Sequence, residues 1–293
     1  MRDCPFDLDT IRDHEWIAGV VYRETIESTS DLALELAAEG THPPGPPLLV
    51  LAAEQTRGRG QPGRRWESTH GSLTFSLLMT HPTPVPLQKL PTLALATALG
   101  ISRALSTRLA ATPSVQADPA AQLKWPNDVV VGDRKICGVL VEARPATPQA
   151  LPGVVVGVGV NVNNPIDPDL AEQATSLTRE LGSHTPLTSC LLEILEEIPR
   201  EFEAWRVEDP DLPERWNRAC RDLDRRITIA APGGEVEGTC RGIDRDGRLL
   251  LEGLDGSLQH LVSQVGQSAR QPVEAPEQPV RPAASCHPER SEE

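Results

Sequence analysis

Residues 154–163, Val-Val-Val-Gly-Val-Gly-Val-Asn-Val-Asn, constrain the fold more than any other stretch of the chain. β-branched side chains favour extended backbone, so this run predicts a strand and hence a sheet. Glycine weakens a strand, and Gly157 and Gly159 therefore indicate a close approach by a ligand or by another part of the chain. The pair lacks the third glycine and the following helix of a dinucleotide-binding fingerprint, which excludes a Rossmann interpretation.

The rest of the first 222 residues alternates between strand and helix signals. Alternating or β-branched runs predict strands at residues 20–26, 48–53, 72–80 and 134–142. Before the last of these, Pro126 makes Trp125 extended, Asn127-Asp128 favours a turn, and Gly132-Asp133 predicts a tight hairpin connection between apolar runs. Apolar residues at helical spacing predict helices at residues 32–39, 87–109 and 187–206, with Pro199 able to kink or split the last, and a shorter helix within 207–220. Residues 164–186 read as irregular, and the fold class is α+β.

From Arg226 the pattern changes to short alternating runs separated by Gly-containing turns, which predicts a small, barrel-like all-β module. The last 23 residues contain five prolines and almost no apolar side chains, which is typical of a disordered tail. The predicted division is an N-terminal extension at 1–19, a main domain at 20–222, the β module at 223–270 and the tail at 271–293.

The formal charge of −14 argues against a general nucleic-acid binder, which would carry a basic face. The six cysteines show no C-x-x-C or short Cys/His spacing, so neither a zinc site nor a disulfide framework is indicated. The sequence has no signal-peptide pattern and no apolar run near 18 residues, which predicts a cytoplasmic protein without a membrane span.

Residues 53–66 form a loop with three glycines and four arginines, and no acid falls between Glu54 and Glu67. Glycine lets a ligand approach the backbone amides, and arginine forks suit phosphate and carboxylate groups. The loop follows an apolar run and resembles an anion-binding loop at a strand end. From this stretch alone, a flexible solvated loop is an equally good interpretation.

Two further stretches suggest ligand contacts. Ser28, Thr29 and Ser30 lie at a strand-to-helix turn, where they either cap the helix or face a small polar ligand. Lys124 precedes Trp125-Pro126, and aromatic cover there could hold its ammonium in a partly desolvated site. The alternative for Lys124 is an ordinary solvated charge.

Five motifs stand in an order that resembles the biotin protein ligases, the biotin–[acetyl-CoA-carboxylase] ligases. They are Glu27 to Ser30, Gln55 to Trp66, Lys124 to Asp128, the Lys-x-x-Gly-x-Leu-x-Glu pattern of residues 135–142, and the Gly-x-Gly-x-Asn-x-Asn pattern of residues 157–163. The resemblance covers roughly residues 20–270. It implies a mixed-sheet catalytic domain of the biotin/lipoate ligase type, followed by a small SH3-like β-barrel.

The resemblance also implies a two-step reaction, in which biotin and Mg-ATP give biotinyl-5′-AMP, and the biotinyl group then passes to a lysine of a biotin carboxyl carrier domain. ATP, Mg²⁺ and biotin are the implied cofactors and substrates, with unknown Mg²⁺ ligands. Lys124 and Arg59 are the implied catalytic residues. The implied biotin-binding residues are Ser28, Thr29, Ser30, Gln55, Arg59, Gly60, Gln61, Lys124, Gly138, Gly157 and Gly159. The implied ATP-binding residues are Gly58, Arg59, Gly60, Arg64, Trp66, Asn127, Asp128 and Asn161.

The chain departs from the family pattern in two ways. Only 27 residues precede Ser28 and they show no helix-turn-helix pattern, so we expect a monofunctional ligase that binds no DNA. The family usually has Arg or Lys at the position of Gln61, and we expect the neutral side chain to weaken retention of biotinyl-AMP. Oligomeric state varies within the family, and a homodimer is compatible with it. A lipoate–protein ligase and a non-catalytic binding module are the competing interpretations.

Overall fold

A computed structural model describes residues 4–61, 63–111, 120–231 and 234–263. The predicted tail at 271–293 lies outside these residues. The strands are β1 Gly19–Ile26, β2 Leu48–Gln55, β3 Leu73–Thr80, β4 Ala121–Lys124, β5 Asp128–Val131, β6 Arg134–Arg144, β7 Gly153–Val160, β8 Arg226–Ala231, β9 Gly234–Ile243, β10 Leu249–Glu252 and β11 Leu258–Leu261. The α-helices are α1 Leu8–Arg12, α2 Thr29–Glu39, α3 Leu90–Ala110, α4 Leu177–Leu181, α5 Leu187–Arg206 and α6 Leu212–Ala219.

Strands β1 to β7 form one mixed sheet in the order β1-β2-β3-β7-β6-β5-β4. The β1–β2 pair is parallel and the remaining neighbours are antiparallel. β7 lies at the centre between β3 and β6, and every residue of it is buried. A central strand that is covered on both faces needs apolar side chains at every position, which explains its run of valines.

Helices cover both faces of this sheet. On one face α3 packs against β4, β5 and β6, and α5 packs on α3. On the other face α2 places Ala33 and Ala37 against Val50, Leu78 and Val155. Small alanines let the helix lie close to the strands, and this brings the N-terminus of α2 to the end of β2.

The structure corrects the sequence prediction in two segments. α5 continues without a break through Pro199, so of the two alternatives, a kink or a split, the split does not occur. Residues 164–186 contain the short helix α4, capped by Ser176 and ended by Gly182 in the left-handed conformation, where the sequence predicted only irregular chain. A five-residue helix carries too few apolar repeats to give a periodic signal.

A buried carboxylate joins three helices on the α5 side. The Glu201 side chain is fully buried and pairs with Arg103 of α3 at 2.6 Å and with Arg215 of α6 at 3.2 Å. Removing one partner from a buried ion pair leaves the other charge without compensation, so this cluster constrains how the helices pack.

Strands β8 to β11 form a four-stranded antiparallel sheet in the order β11-β10-β9-β8. β9 is one continuous strand, whereas the sequence predicted two separate short runs at residues 236–239 and 241–243. Its Cys240 and Ile243 belong to the same buried cluster as the core of the large sheet. The Trp125 indole N–H also donates to the Gly247 carbonyl at 3.1 Å. The C-terminal sheet is therefore packed directly against the strand turn that follows Lys124.

Candidate active site

A cavity lies beneath the loop of residues 56–61 and 63–66, near the C-terminal ends of β2 and β7 and beside the middle of β6. It is lined by Ser28, Thr29, Ser30, Gln55, Arg59, Gly60, Gln61, Arg64, Arg65, Trp66, Asn127, Asp128, Lys135, Gly138, Val139, Leu140, Gly157, Val158 and Gly159. Its volume is about 90 Å³. Sites for small organic ligands usually measure about 300–1,000 Å³. The loop is thus closed over a space that a ligand can fill only if the loop moves.

The three hydroxyl residues at the start of α2 have different partners. Ser28 is the N-cap, since its Oγ accepts a hydrogen bond from the Asp31 amide at 3.4 Å. The Gln55 Oε1 accepts from the Thr29 amide at 2.7 Å and from the Thr29 hydroxyl at 3.0 Å. Ser30 shares a hydrogen bond of 3.0 Å with Ser76 of β3. The capping and ligand-facing interpretations therefore hold together, because all three residues also line the cavity.

Residues 56–61 and 63–66 form the two arms of a small hairpin over the cavity. The Trp66 amide donates to the Gly58 carbonyl at 3.1 Å, and the Gly60 amide donates to the Arg64 carbonyl at 3.3 Å. Arg59 and Arg65 form an antiparallel bridge between the two arms. Since these bonds tie the arms together, the hairpin can move as one unit.

The Trp66 ring fills the space that Gly159 leaves free and also lies near Gly138, where the Lys135 side chain is closer still. A Cβ atom added to Gly159 would lie 2.2 Å from Trp66 Cε2, and one added to Gly138 would lie 3.5 Å from Cζ3. The Lys135 Nζ stands 5.6 Å from the ring centroid, within cation–π range. The close approach that Gly159 indicated in the sequence is thus an approach by this indole.

Five residues that line the cavity were missed by the sequence prediction: Arg65, Lys135, Val139, Leu140 and Val158. Among them, Lys135 has the clearest polar contact. Its Nζ forms an ion pair of 2.6 Å with Asp128 Oδ1. Lys135 and Gly138 line the same cavity although they are three residues apart, because β6 carries a bulge at Ile136: Val129 pairs with Cys137, and Val130 pairs with Lys135. A bulge inserts one residue and so changes the face on which the next side chain emerges.

Three predicted site residues do not line the cavity: Gly58, Lys124 and Asn161. Lys124 is exposed at the end of β4, directly across from Asp128, so the expected desolvation of its ammonium is wrong. Leu123 before it is fully buried, and alternation along a strand sends the next side chain to the opposite face. Asn161 is buried and accepts a hydrogen bond from Asn164 at 3.1 Å.

Two loop residues already have protein partners. Both Glu142 carboxylate oxygens accept from Arg59, at 2.6 and 2.5 Å. Gln61, the departure from the usual basic residue, donates from Nε2 to the Asn127 side-chain oxygen at 3.2 Å. Asn127 in turn donates to the Val139 carbonyl at 2.5 Å, which joins the loop to the turn before β5.

Comparison with known proteins assigns the family. Residues 22–161 match the biotin/lipoate A/B protein ligase family, and residues 222–263 match the biotin protein ligase C terminal domain. A biotin–[acetyl-CoA-carboxylase] ligase of Mycobacterium tuberculosis is 32% identical over 259 residues, which cover 85% of this chain and 90% of that protein. This chain belongs to the biotin protein ligase family.

Two further relatives agree with the biotin protein ligase assignment. The bifunctional ligase/repressor BirA of Bacillus spizizenii is 31% identical over 81% of this chain and 70% of that protein. Among solved structures, the biotin protein ligase from Aquifex aeolicus in complex with biotin and ATP has a TM-score of 0.68 at 25% identity, covering 84% of this chain and 97% of that chain. The predicted fold class, a mixed-sheet domain followed by a small β domain, is confirmed.

The described residues contain no group of three or more His, Cys, Asp and Glu side chains that could hold a metal ion. Asp128 is the one carboxylate among the described residues that line the cavity. In the same part of the chain, no helix is long and apolar enough to cross a membrane.

Proposed function

We propose that this chain attaches biotin to one lysine of a biotin carboxyl carrier domain at the expense of ATP. The observation that carries the proposal is the cavity itself, which brings residues from the five sequence motifs of the family under one glycine-arginine hairpin. The family supplies the chemistry. The relatives that carry the name biotin–[acetyl-CoA-carboxylase] ligase support biotin as the substrate.

In the first step, a biotin carboxylate oxygen forms a bond to the α-phosphorus of ATP while the bond to the β-phosphate bridging oxygen breaks. Pyrophosphate leaves, and biotinyl-5′-AMP stays in the cavity. In the second step, the neutral amine of the carrier lysine forms a bond to the biotinyl carbonyl carbon. AMP leaves and the amine proton passes to solvent. The enzyme needs no nucleophile of its own, so its work is orientation and stabilisation of charge.

We propose Lys135 as the cation that stabilises the charge developing on the carboxylate and phosphoryl oxygens. Its ammonium lines the cavity beside Trp66, whereas Lys124 is exposed and outside the lining. A fixed cation placed where charge develops typically contributes 10²–10³-fold to the rate. A catalytic role for Lys124 remains our sequence prediction, and comparing the two lysines decides between them.

Several of the remaining cavity residues fit the substrate roles predicted from the family; Arg59 is an exception, because both of its Nη atoms already donate to Glu142. Thr29 holds the Gln55 oxygen, which leaves the Gln55 amide nitrogen as the group to meet the biotin ring or carboxylate. Arg64 is exposed and suits the phosphates of ATP. The Trp66 ring suits the adenine. Gly157 and Gly159 supply a side-chain-free wall.

Mg²⁺ fits this site as a cation carried on ATP. Proteins usually hold Mg²⁺ through one or two carboxylates together with substrate phosphates, so a single acid is enough. Asp128 would hold the ion, and the ion would neutralise part of the triphosphate charge.

The test is transfer to an isolated carrier domain with Mg-ATP, followed by mass spectrometry of the intact carrier. We expect biotin to be added with biotin as donor, and no addition when lipoic acid replaces it. A carrier with arginine in place of its acceptor lysine is the control. Lipoyl transfer would favour the lipoate ligase alternative, and no transfer with either vitamin would refute the proposal.

Four sequence predictions stay proposals. They are the domain boundaries at residues 19, 222 and 270, the absence of DNA binding, a homodimer and a cytoplasmic location. An electrophoretic mobility shift with a biotin-operon operator tests DNA binding, and sedimentation with and without biotin tests dimer formation.

A further inference from the structure

Arg59 is held by two acids from two different elements. Its Nη1 and Nη2 donate to the two Glu142 oxygens at 2.6 and 2.5 Å, and its Nε lies 3.2 Å from Asp31 Oδ1. Glu142 belongs to β6 and Asp31 to the first turn of α2. The Glu142 side chain is only 4% exposed and that of Arg59 only 19%. The guanidinium charge is therefore compensated by two carboxylates of the protein, through hydrogen bonds to Glu142 and an ion pair with Asp31.

The pair is difficult to break because of where it lies. If Arg59 left, Glu142 would remain as a buried carboxylate without a counter-charge, which is strongly unfavourable. Arg57, in the same loop, gives a contrast: its pair with Glu27 has side chains 72% and 65% exposed. An exposed pair of that kind contributes little.

Arg59 connects this pair to the whole hairpin. It bridges to Arg65 on the other arm, and the neighbouring backbone bonds reach Trp66. The cavity beneath holds about 90 Å³, so the hairpin must lift before a biotin-sized ligand can enter. Lifting the hairpin moves Arg59 away from Glu142, which is fixed in the sheet.

We propose that Glu142 is a positioning residue of this ligase, which acts through Arg59 to hold the hairpin closed over the cavity. Breaking the pair shifts the loop towards its open form, so ligand enters faster and biotinyl-AMP leaves faster. Arg59 then serves as an anchor for the loop, and the basic groups that meet the substrate are Lys135 and Arg64. The identity of the ligand rests on the proposed function, whereas the closure of the loop does not.

The first test needs no ligand. Trypsin cleaves after Arg64 and Arg65, both exposed in the hairpin, and cleavage requires the loop to leave its closed form. We expect Glu142→Gln to be cleaved there about tenfold faster than wild type or more, the factor given by loss of one charge-assisted hydrogen bond. The matched control, Glu27→Gln, breaks the exposed pair of the same loop and leaves this rate unchanged.

The second test measures two rates by stopped-flow fluorescence: association of biotin, and release of biotinyl-AMP. If closure is an equilibrium that limits access, Glu142→Gln accelerates both. If Arg59 instead contacts the ligand and Glu142 merely competes for it, release slows and association is unchanged, which would overturn the proposal. The proposal would also be overturned if Glu142→Gln showed the same association, release and cleavage rates as Glu27→Gln.

A third variant covers the case in which Glu142→Gln does not fold. Arg59→Lys keeps the charge but loses the two-pronged contact, so both rates and the cleavage rise by a smaller factor. Thermal unfolding of every variant separates a local change from a global one. If no variant, wild type included, binds biotin, the proposed function fails, while the cleavage result still decides the role of Glu142.

Discussion

Replacing Gly159 by alanine tests whether the Trp66 ring packs so close to the backbone of residue 159 that only glycine can stand there. The added Cβ would lie 2.2 to 2.7 Å from three atoms of the indole. Carbon atoms in contact are normally separated by about 3.5–4.0 Å, so the ring must shift by roughly 1 Å or more. Because Trp66 stands on a loop, we expect the loop to yield and the sheet to remain in place.

The magnitudes follow from that geometry. Overpacking costs about 1–3 kcal/mol, and a yielding loop puts the stability loss at the lower end, a fall in Tm of about 2–4 °C. Stacking of a base on an aromatic ring is worth about 1–3 kcal/mol, so we expect Kd for ATP to rise about tenfold.

Calorimetry with ATP in the presence of biotin measures this effect. The matched control is Gly153→Ala at the other end of β7, where the added Cβ would lie 3.2 Å from the Ala37 Cβ, so that α2 must shift by only a few tenths of an ångström. We expect that variant to bind ATP as wild type does. Unchanged ATP affinity in Gly159→Ala, with wild-type Tm, would refute the placement of Trp66.

Three other predictions follow from single residues. Gln61→Arg restores the charge usual in the family, and we expect slower release of biotinyl-AMP; equal off-rates would remove the role given to Gln61. Glu201→Ala leaves its two arginine partners without their buried acid, and we expect a loss of about 3–5 kcal/mol in urea unfolding. The exposed Glu203→Ala, whose pair with Arg206 lies at the surface, should unfold like wild type, and an equal loss there would contradict the reasoning. Burial raises the pKa of the Cys190 thiol to about 12, so at pH 8 iodoacetamide should label the exposed Cys4 and spare Cys190 until the protein unfolds, as peptide mass spectrometry can show.

The sheet was largely predictable because its strands carry their own signals. The valine run forms β7, the fully buried centre of the sheet. The apolar run at residues 48–53 forms β2, which is separated from β7 by one strand. What the sequence could not give was the order of the strands, since pairing between distant segments is not encoded in local periodicity. The merging of two predicted short strands into β9 has the same cause.

The choice of lysine shows where sequence reasoning reached its limit. Lys124 stands beside a tryptophan and a proline, which suggested aromatic cover, but strand alternation turns it to solvent. Lys135 reaches the cavity through a bulge that no residue pattern announces. The sequence did mark Lys135 in another way, because it is the first residue of the 135–142 motif and could have been included among the candidate site residues for that reason.

The partner of Arg59 was also hidden from the sequence. Glu142 lies 83 residues away, and only the pairing of β6 with β7 beside α2 brings the two side chains together. An arginine in a glycine-rich loop therefore suggested a free anion-binding group. The structure shows the same arginine neutralised by a buried acid.

Biotin-dependent exchange of labelled pyrophosphate into ATP tests the central claim, that adenylation takes place in the cavity beside Lys135. We predict exchange in wild type, a loss of about 10²–10³-fold in Lys135→Ala, and a change of less than about threefold in Lys124→Ala. Both variants should unfold within a few degrees of wild type. Near-normal exchange in Lys135→Ala, together with its loss in Lys124→Ala, would contradict the account.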